Sequence, residues 1–382
     1  MFTLIFACTA HGSELVSVDL TADLLYDDNL FRLPQTADAK TIIGGRTDDV
    51  VSRLGVQLNW DVPLSLQRIT GNASFIANRF ENNDQLNNDS LNVALGWEGE
   101  LAKVWKGIGK WRREKNLASF ADVQDGQRSI VTQNHIEADV TRELFPQWKM
   151  MVHWDRDTSA RSLASQQYND RNAEGMRLGI IGQSPADSEI KIFLSSRTVK
   201  FVNWVWLPGS LQDDGLREDA LGVALRWSIT DSTTAETNAR IERVRGAHLS
   251  QNDFSGSTYD LALSWDSGAA LKGQAAVWRN IDAMQNSYAS YMLSHGGRLI
   301  GQWSVRSAWV TKIQMSHEWF DYKGGEATTR REMLNEVSLS QVYIPFRNAE
   351  ISVLYSQTMR DSRMRQGFLD HIIQGTLKIN WD

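Results

Sequence analysis

The sequence predicts an all-β chain, folded as a transmembrane antiparallel up-and-down barrel of about 18 strands, and three observations predict it. Side chains alternate between apolar and polar with period two along most of the chain, the signature of a strand with unlike faces. The connections between alternating segments are short and long by turns, as at the two ends of a membrane barrel. Tryptophan recurs at the ends of the even-numbered segments. No run approaches the roughly 20 apolar residues that a spanning helix needs, which excludes a helical membrane protein. A mean hydropathy of −0.38 is compatible with a barrel. Barrel strands show lipid only every second side chain, so the average along the chain looks soluble.

Taken in order, the first strand places Val16, Val18, Leu20, Ala22, Leu24 and Tyr26 on one face against Ser17, Asp19, Thr21 and Asp23 on the other. In the second, Leu54, Val56, Leu58 and Trp60 alternate with Arg53, Gly55, Gln57 and Asn59. In the third, Ile69, Gly71, Ala73, Phe75 and Ala77 alternate with Thr70, Asn72, Ser74 and, less cleanly, Ile76. The pattern returns at Tyr259, Leu261, Leu263 and Trp265, and again at Ile373, Leu377, Ile379 and Trp381. Segments begin near residues 15, 50, 67, 90, 109, 128, 148, 173, 188, 217, 234, 256, 270, 287, 308, 331, 348 and 367, and 16 strands are within the range of the pattern. The stretch 98–113 fits it badly. Short connections are 61–65, 145–147, 230–232, 266–268 and 345–348; long polar ones are 27–49, 81–88, 158–168, 199–214 and 322–329. An even strand count puts both termini on one side, expected to be the periplasm.

The motif apolar-x-Trp closes even-numbered segments at Trp60, Trp97, Trp227, Trp265 and Trp381, with a looser copy at Trp303. These rings are expected to form a girdle at the inner interface, where amphipathic indoles anchor a barrel. The alternative, a soluble β-sandwich with core tryptophans, would not place them so regularly at strand ends. Lipid cannot satisfy an open sheet edge, so the sheet must close.

With the apolar face on lipid, the alternate residues line the lumen. Counting outward from the turn at Phe145-Pro146-Gln147 sets Glu143 opposite Lys149 and Asp139 opposite His153. Glu137 then falls opposite Asp155, a like-charge pair that needs a cation, a proton or an arginine from another strand. His135 shares this wall, and Arg53, Arg240, Glu242, Asp260, Lys272, Trp278 and Lys378 continue the mixed lining. The reading is a pathway wall or cation site; an ordinary solvated ladder of lumen charges is the simpler alternative.

A formal charge of −6 leaves no basic excess to neutralise phosphates, so a nucleic-acid partner is not expected. The histidines are scattered without metal-ligand spacing, and no glycine-flanked nucleophile is present, so neither an enzyme, a metal site nor a cofactor is expected. Asp27, Asp28 and Asn29 could ligate calcium but lack the register of a calcium loop. Residues 1–10 read as a truncated signal peptide with Cys8 the chain's single cysteine, and residues 11–382 as one barrel domain. Lipidation at Cys8 and a buried N-terminal strand are the alternatives.

Residues Asp23-Leu24-Leu25-Tyr26-Asp27-Asp28-Asn29-Leu30-Phe31-Arg32-Leu33, together with Leu117-Ala118-Ser119-Phe120-Ala121-Asp122 and the strand end at 140–145, resemble a porin-like barrel family. The branch they resemble is the EpsL-type outer-membrane proteins of exopolysaccharide biosynthesis operons. The resemblance implies a bacterial outer-membrane location, a conduit for polysaccharide, and exopolysaccharide and periplasmic export components as partners. It carries no site residues. A plugged scaffolding or anchoring barrel and a general porin for small hydrophilic solutes are the alternatives. Outer-membrane lipid and the barrel-assembly machinery are the remaining expected partners. The chain departs from the usual aromatic C-terminus read by that machinery, since Asp382 follows Trp381.

Overall fold

The computed structural model describes residues 15–120, 126–210, 213–250, 253–268, 270–283, 291–306, 308–323, 331–362 and 367–381. The segment read as a signal peptide, Asp122 and part of the connection 322–329 lie outside them. Eighteen strands form one sheet. They are β1 (Val16–Asp27), β2 (Asp49–Leu64), β3 (Gln67–Phe80), β4 (Asn88–Leu101), β5 (Trp105–Leu117), β6 (Ile130–Phe145), β7 (Trp148–Arg161), β8 (Arg171–Gln183) and β9 (Glu189–Phe201). The chain continues through β10 (Gly215–Thr230), β11 (Thr233–Gly246), β12 (Phe254–Asp266), β13 (Leu271–Ala283), β14 (Tyr291–Arg306), β15 (Trp309–Lys323), β16 (Arg331–Phe346), β17 (Ala349–Ser362) and β18 (Phe368–Trp381). Every consecutive pair is antiparallel, and β1 also pairs with β18 from Val18↔Trp381 to Asp27↔Ile372, which closes the barrel. Closure leaves no edge whose N–H and C=O groups would face hydrocarbon unpaired.

Alternation decides which face is which. Leu54, Leu58, Leu194, Leu221, Ile241, Leu263, Leu299 and Leu339 are all exposed on one face. The other face carries charged groups that reach across an intervening strand: Arg197 on β9 bonds Asp157 on β7, and Trp278 Nε1 on β13 donates to Glu318 on β15 at 3.0 Å. Strands about 4.8 Å apart put second neighbours about 10 Å apart, and side chains close that gap most readily where they converge on a concave surface. The polar face is therefore the inner wall, and the apolar face is the belt offered to lipid.

Segments 98–113 fit poorly for a local reason. Ala102 and Lys103 take positive φ (53° and 62°) in the tight turn into β5, which therefore starts at Trp105 rather than near 109. On the outer face β5 presents Gly107 and Gly109 between Trp105 and Trp111. The Trp97 ring covers that surface: a Cβ on Gly99 or Gly107 would sit 2.6 or 2.9 Å from it. That indole supplies the apolar surface that Gly99 and Gly107 lack. The β2–β3 turn is also tighter than expected, since β2 runs to Leu64 and Asp61, inside the strand, pairs with Arg68 through its Nε at 2.7 Å. Thr158 to Arg161 likewise belong to β7.

All six predicted girdle tryptophans lie near the ends of even-numbered strands on the outer face. Trp97, Trp227, Trp265, Trp303 and Trp381 are 42–52% exposed, while Trp60 is half-buried because its ring lies over Gly71 of β3. Register irregularities follow Trp227 and Trp303 on β10 and β14, between Ser228 and Thr230 and between Ser304 and Arg306. Trp105, Trp148 and Trp309, which open odd-numbered strands after tight turns, were missed in the sequence pattern and join the same end of the barrel. Trp309 stacks on Tyr343 of β16 at 4.4 Å.

Candidate functional site

The candidate site is the inner wall. Its chemistry is densest over β5 to β11, where the register is the one the turn at residues 145–147 implies. Glu137 lies opposite Asp155 and Asp139 opposite His153. The like-charge pair is resolved by cations from both flanks. Lys110 of β5 reaches Glu137 at 2.7 Å, and His153 Nε2 and Arg197 Nη1 approach Asp155 at 3.4 and 3.5 Å. His153 Nδ1 lies 2.8 Å from Asp139 Oδ1, and His135 bridges Asp157 and Glu137, the latter at 3.2 Å. Two carboxylates forced opposite each other by register repel, and interleaved cations from neighbouring strands remove that penalty. Gly175, opposite Asp155 on β8, makes the room: a Cβ there would meet Asp155 Oδ1 at 2.6 Å. Above this row a cleft of about 200 Å³ is lined by Arg112, Glu114, His135, Asp157, Arg171 and Arg197.

Lys149 faces Glu143 in register, but its Nζ donates to Gln183 of β8 at 2.9 Å instead. The other predicted wall residues share the polar face and are spread around the ring. Arg240 and Glu242 sit on β11, 3.7 Å apart, and Asp260 accepts from Asn280 at 3.3 Å. Lys272 pairs with Asp266 at 2.6 Å beside a short turn, and Lys378 with Asp19 at 3.1 Å across the β1–β18 closure. Arg53 lies opposite Asp23, with its Nε buried and without a hydrogen-bond partner.

Sequence reasoning missed Arg177 and Phe193. Arg177 projects inward from β8 and stacks on the Phe193 ring at 4.7 Å, while its buried Nε has no partner. Phe193 is 2% exposed although it is on the polar face, because Gly222 and Gly179 leave space for its ring: a Cβ on Gly222 would lie 2.3 Å from it. The signal was an apolar residue at a polar position flanked by glycines on both neighbouring strands, which only the register aligns. Among the described residues Arg53 and Arg177 make no ion pair within 4 Å, and Arg240 has only the distant contact to Glu242.

The mouth at the long-loop end is narrowed by packing. Leu25, Val51 and Phe80 face inward at the tops of β1, β2 and β3, and Phe31, Leu33, Leu86 and Phe120 from the connections bury against them. Phe31 and Phe120 lie 4.8 Å apart, so the two sequence segments that carry the family resemblance meet here. Arg32 holds this loop to the barrel closure. With φ of 57°, it places its guanidinium between Asp27 at 3.1 Å and Asp370 at 2.6 Å. Asn29 donates to the carbonyls of Leu33 and Leu369 at 2.8 and 2.9 Å. The carboxylates of Asp27, Asp28 and Asp370 gather within 4.8 Å, but Arg32 sits where a calcium ion would, and Asp28 accepts from the His371 backbone. The loop is a structural tie.

By sequence, no family model and no curated protein matches the chain. By structure it is similar to OccK1 (OpdK) of Pseudomonas aeruginosa, with TM-score 0.53 and 11% identity over 96% of this chain and 99% of that one. It is also similar to OccAB3 of Acinetobacter baumannii, with TM-score 0.51 and 8% identity over 96% and 99%. A third structure is OpdK with vanillate, with TM-score 0.51 and 11% identity over 96% and 99%. At these identities the likeness is one of fold, the barrel of an outer-membrane protein.

Proposed function

We propose that this protein is a bacterial outer-membrane channel for small hydrophilic solutes, with both termini in the periplasm. The observation that carries the reading is the inner wall. A closed barrel of 18 strands is wide enough for a water-filled lumen, and its lining below the packed mouth is mostly polar and charged while its outside is mostly apolar. Cations and carboxylates are interleaved rather than segregated, which suits a solute carrying one charge or both signs. Among the described residues Arg53 and Arg177 make no ion pair and Arg240 has only its 3.7 Å contact to Glu242, and a carboxylate is the group a guanidinium fork holds best. The structure of OpdK with vanillate, an aromatic carboxylate, belongs to a protein of this fold and agrees with that class of solute.

Export of exopolysaccharide, the role implied by the EpsL-type resemblance, rests on the short motifs alone. Those motifs have a structural role in this chain, packing Phe31 against Phe120 at the mouth. None of the three similar structures is described as a polysaccharide exporter. The test is conductance of the refolded protein in planar bilayers, with selectivity read from the reversal potential in a salt gradient. Stable channels are expected, and Arg177→Gln with Arg240→Gln should lower anion over cation permeability and weaken block by an aromatic carboxylate. Absence of conductance in the folded barrel would refute the channel and favour a plugged scaffold. Glycan translocation or block, with indifference to carboxylates, would restore the export reading.

A further inference from the structure

The outer face of β9, β10 and β11 changes character abruptly towards the long-loop end. Leu194, Leu221 and Ile241 stand side by side in register as the top apolar row, 63, 51 and 69% exposed. One step further are Ser196, Asp219 and Arg243, then Thr198, Arg217 and Arg245, and then Lys200 beside Gly215. Four cations thus share one patch with Asp219, bordered by Glu174 of β8 and by Asp214 in the adjoining connection. Asp219 already accepts from Ser196 at 2.7 Å and from Arg217 at 3.0 Å, and pairs with Arg245, while Arg243 and Lys200 make no ion pair among the described residues. Elsewhere at this end opposite signs offset each other, as in Arg79 with Asp89 and Arg331 with Asp321. Arg113 and Lys115 of β5 are a smaller pair, and the separate cleft that Lys115 lines has no indole.

A cleft of about 560 Å³ opens directly over the patch, lined by Lys200, Trp204, Arg217, Arg245 and His248. Trp204 Nε1 is buried without an acceptor, and His248 stacks on Trp206 at 4.6 Å and pairs with Asp214 at 3.2 Å. The connection that supplies these indoles also exposes Val202, Val205 and Leu207. The arrangement is therefore amphipathic along the membrane normal: apolar row, guanidinium rows, then an indole-lined cleft with a free N–H donor.

We propose that this patch is a binding site for the phosphorylated headgroup of an outer-leaflet glycolipid. The phosphate oxygens would accept from Arg217, Arg243, Arg245 and Lys200, the sugar would occupy the Trp204 cleft, and the acyl chains would lie on Leu194, Leu221 and Ile241. A phosphate at this height meets multiple charge-assisted donors, and the indole face and N–H suit a sugar ring better than a small glycerol headgroup. The proposal rests on the outer-membrane reading.

The experiment is titration of the folded, detergent-solubilised barrel with bis-phosphorylated lipid A, dephosphorylated lipid A and phosphatidylglycerol, read by native mass spectrometry. The first should bind at least about tenfold more tightly than the other two, and Arg217→Gln/Arg243→Gln/Arg245→Gln should erase that preference. A second variant, Arg113→Gln/Lys115→Gln, should leave it intact, and single Arg243→Gln, whose side chain is unpaired, should reduce it without disturbing the barrel. Equal binding of phosphorylated and dephosphorylated lipid A would overturn the site. Binding of phosphatidylglycerol as tight as that of lipid A would overturn the glycolipid assignment while leaving the channel reading untouched. Undiminished preference in a folded triple variant would place the lipid elsewhere and refute the patch.

Discussion

Three neighbouring positions on β2 make a stringent test of which face meets lipid and at what depth. Leu54 and Leu58 face outward, 66 and 41% exposed, and Gln57 faces the lumen, donating to Asn59 at 2.7 Å. A strand rising about 3.3 Å per residue and tilted about 40° climbs about 2.5 Å per residue along the membrane normal. Leu54 is six residues from the girdle at Trp60, so it lies about 15 Å above it, near the middle of an apolar band about 25 Å tall. Leu58, two residues from Trp60, lies about 5 Å above it. Leu54→Arg should therefore destabilise the barrel by about 2–4 kcal/mol, a shift of about 30- to 700-fold in the folding equilibrium. Leu58→Arg should cost at most about 1 kcal/mol, and Gln57→Arg, in water-facing surroundings, less still. The assay is reversible urea unfolding in lipid vesicles, followed by tryptophan fluorescence and by the mobility of unheated samples on gels. Equal losses at Leu54 and Leu58 would refute the depth assignment. A larger loss at Gln57 than at Leu54 would mean that the faces are reversed.

Four further outcomes follow from individual contacts. Lys110→Met strips the cation from Glu137, and because Lys110 is 58% exposed the stability loss should stay under about 1 kcal/mol while the reversal potential shifts towards cation preference; an unchanged potential would contradict a lumen position for this row. Phe31→Ala empties a fully buried site at the mouth and should loosen the first connection by about 3–5 kcal/mol, seen as faster protease cleavage there and higher conductance with the barrel intact. Gly222→Leu drives a side chain into the Phe193 ring and should cost about 1–3 kcal/mol in urea unfolding, whereas Gly375→Ala, with nothing within 4 Å, should be neutral. Deleting Trp381 with Asp382 should lower membrane insertion far more than deleting Asp382 alone, because Trp381 pairs with Val18 in the closing ladder; equal yields would deny Trp381 a special part in assembly.

The sequence by itself determined the strands, their faces and one stretch of register. Alternation of the kind running from Val16 to Tyr26 is a direct imprint of lipid on one side and water on the other, and it located all 18 strand starts within about four residues. The tight turn at Pro146 fixed the pairing of β6 with β7, so the Glu137–Asp155 conflict could be seen in advance. Its resolution could not, because Lys110 and Arg197 come from strands on either side, and their heights depend on the stagger of the whole sheet. The same holds for β5, where Trp97 covers Gly107 and the outward glycines break the apolar alternation, and for Phe193, an apolar residue on a polar wall that Gly179 and Gly222 accommodate. Charge on the outer face was hidden for a related reason. Arg217, Arg243 and Arg245 look like ordinary strand-end cations one at a time, and become a patch only when β10 and β11 are aligned. Period-two chemistry is local and survives in one dimension. Contacts between strands are set by barrel closure and shear, which belong to the folded sheet.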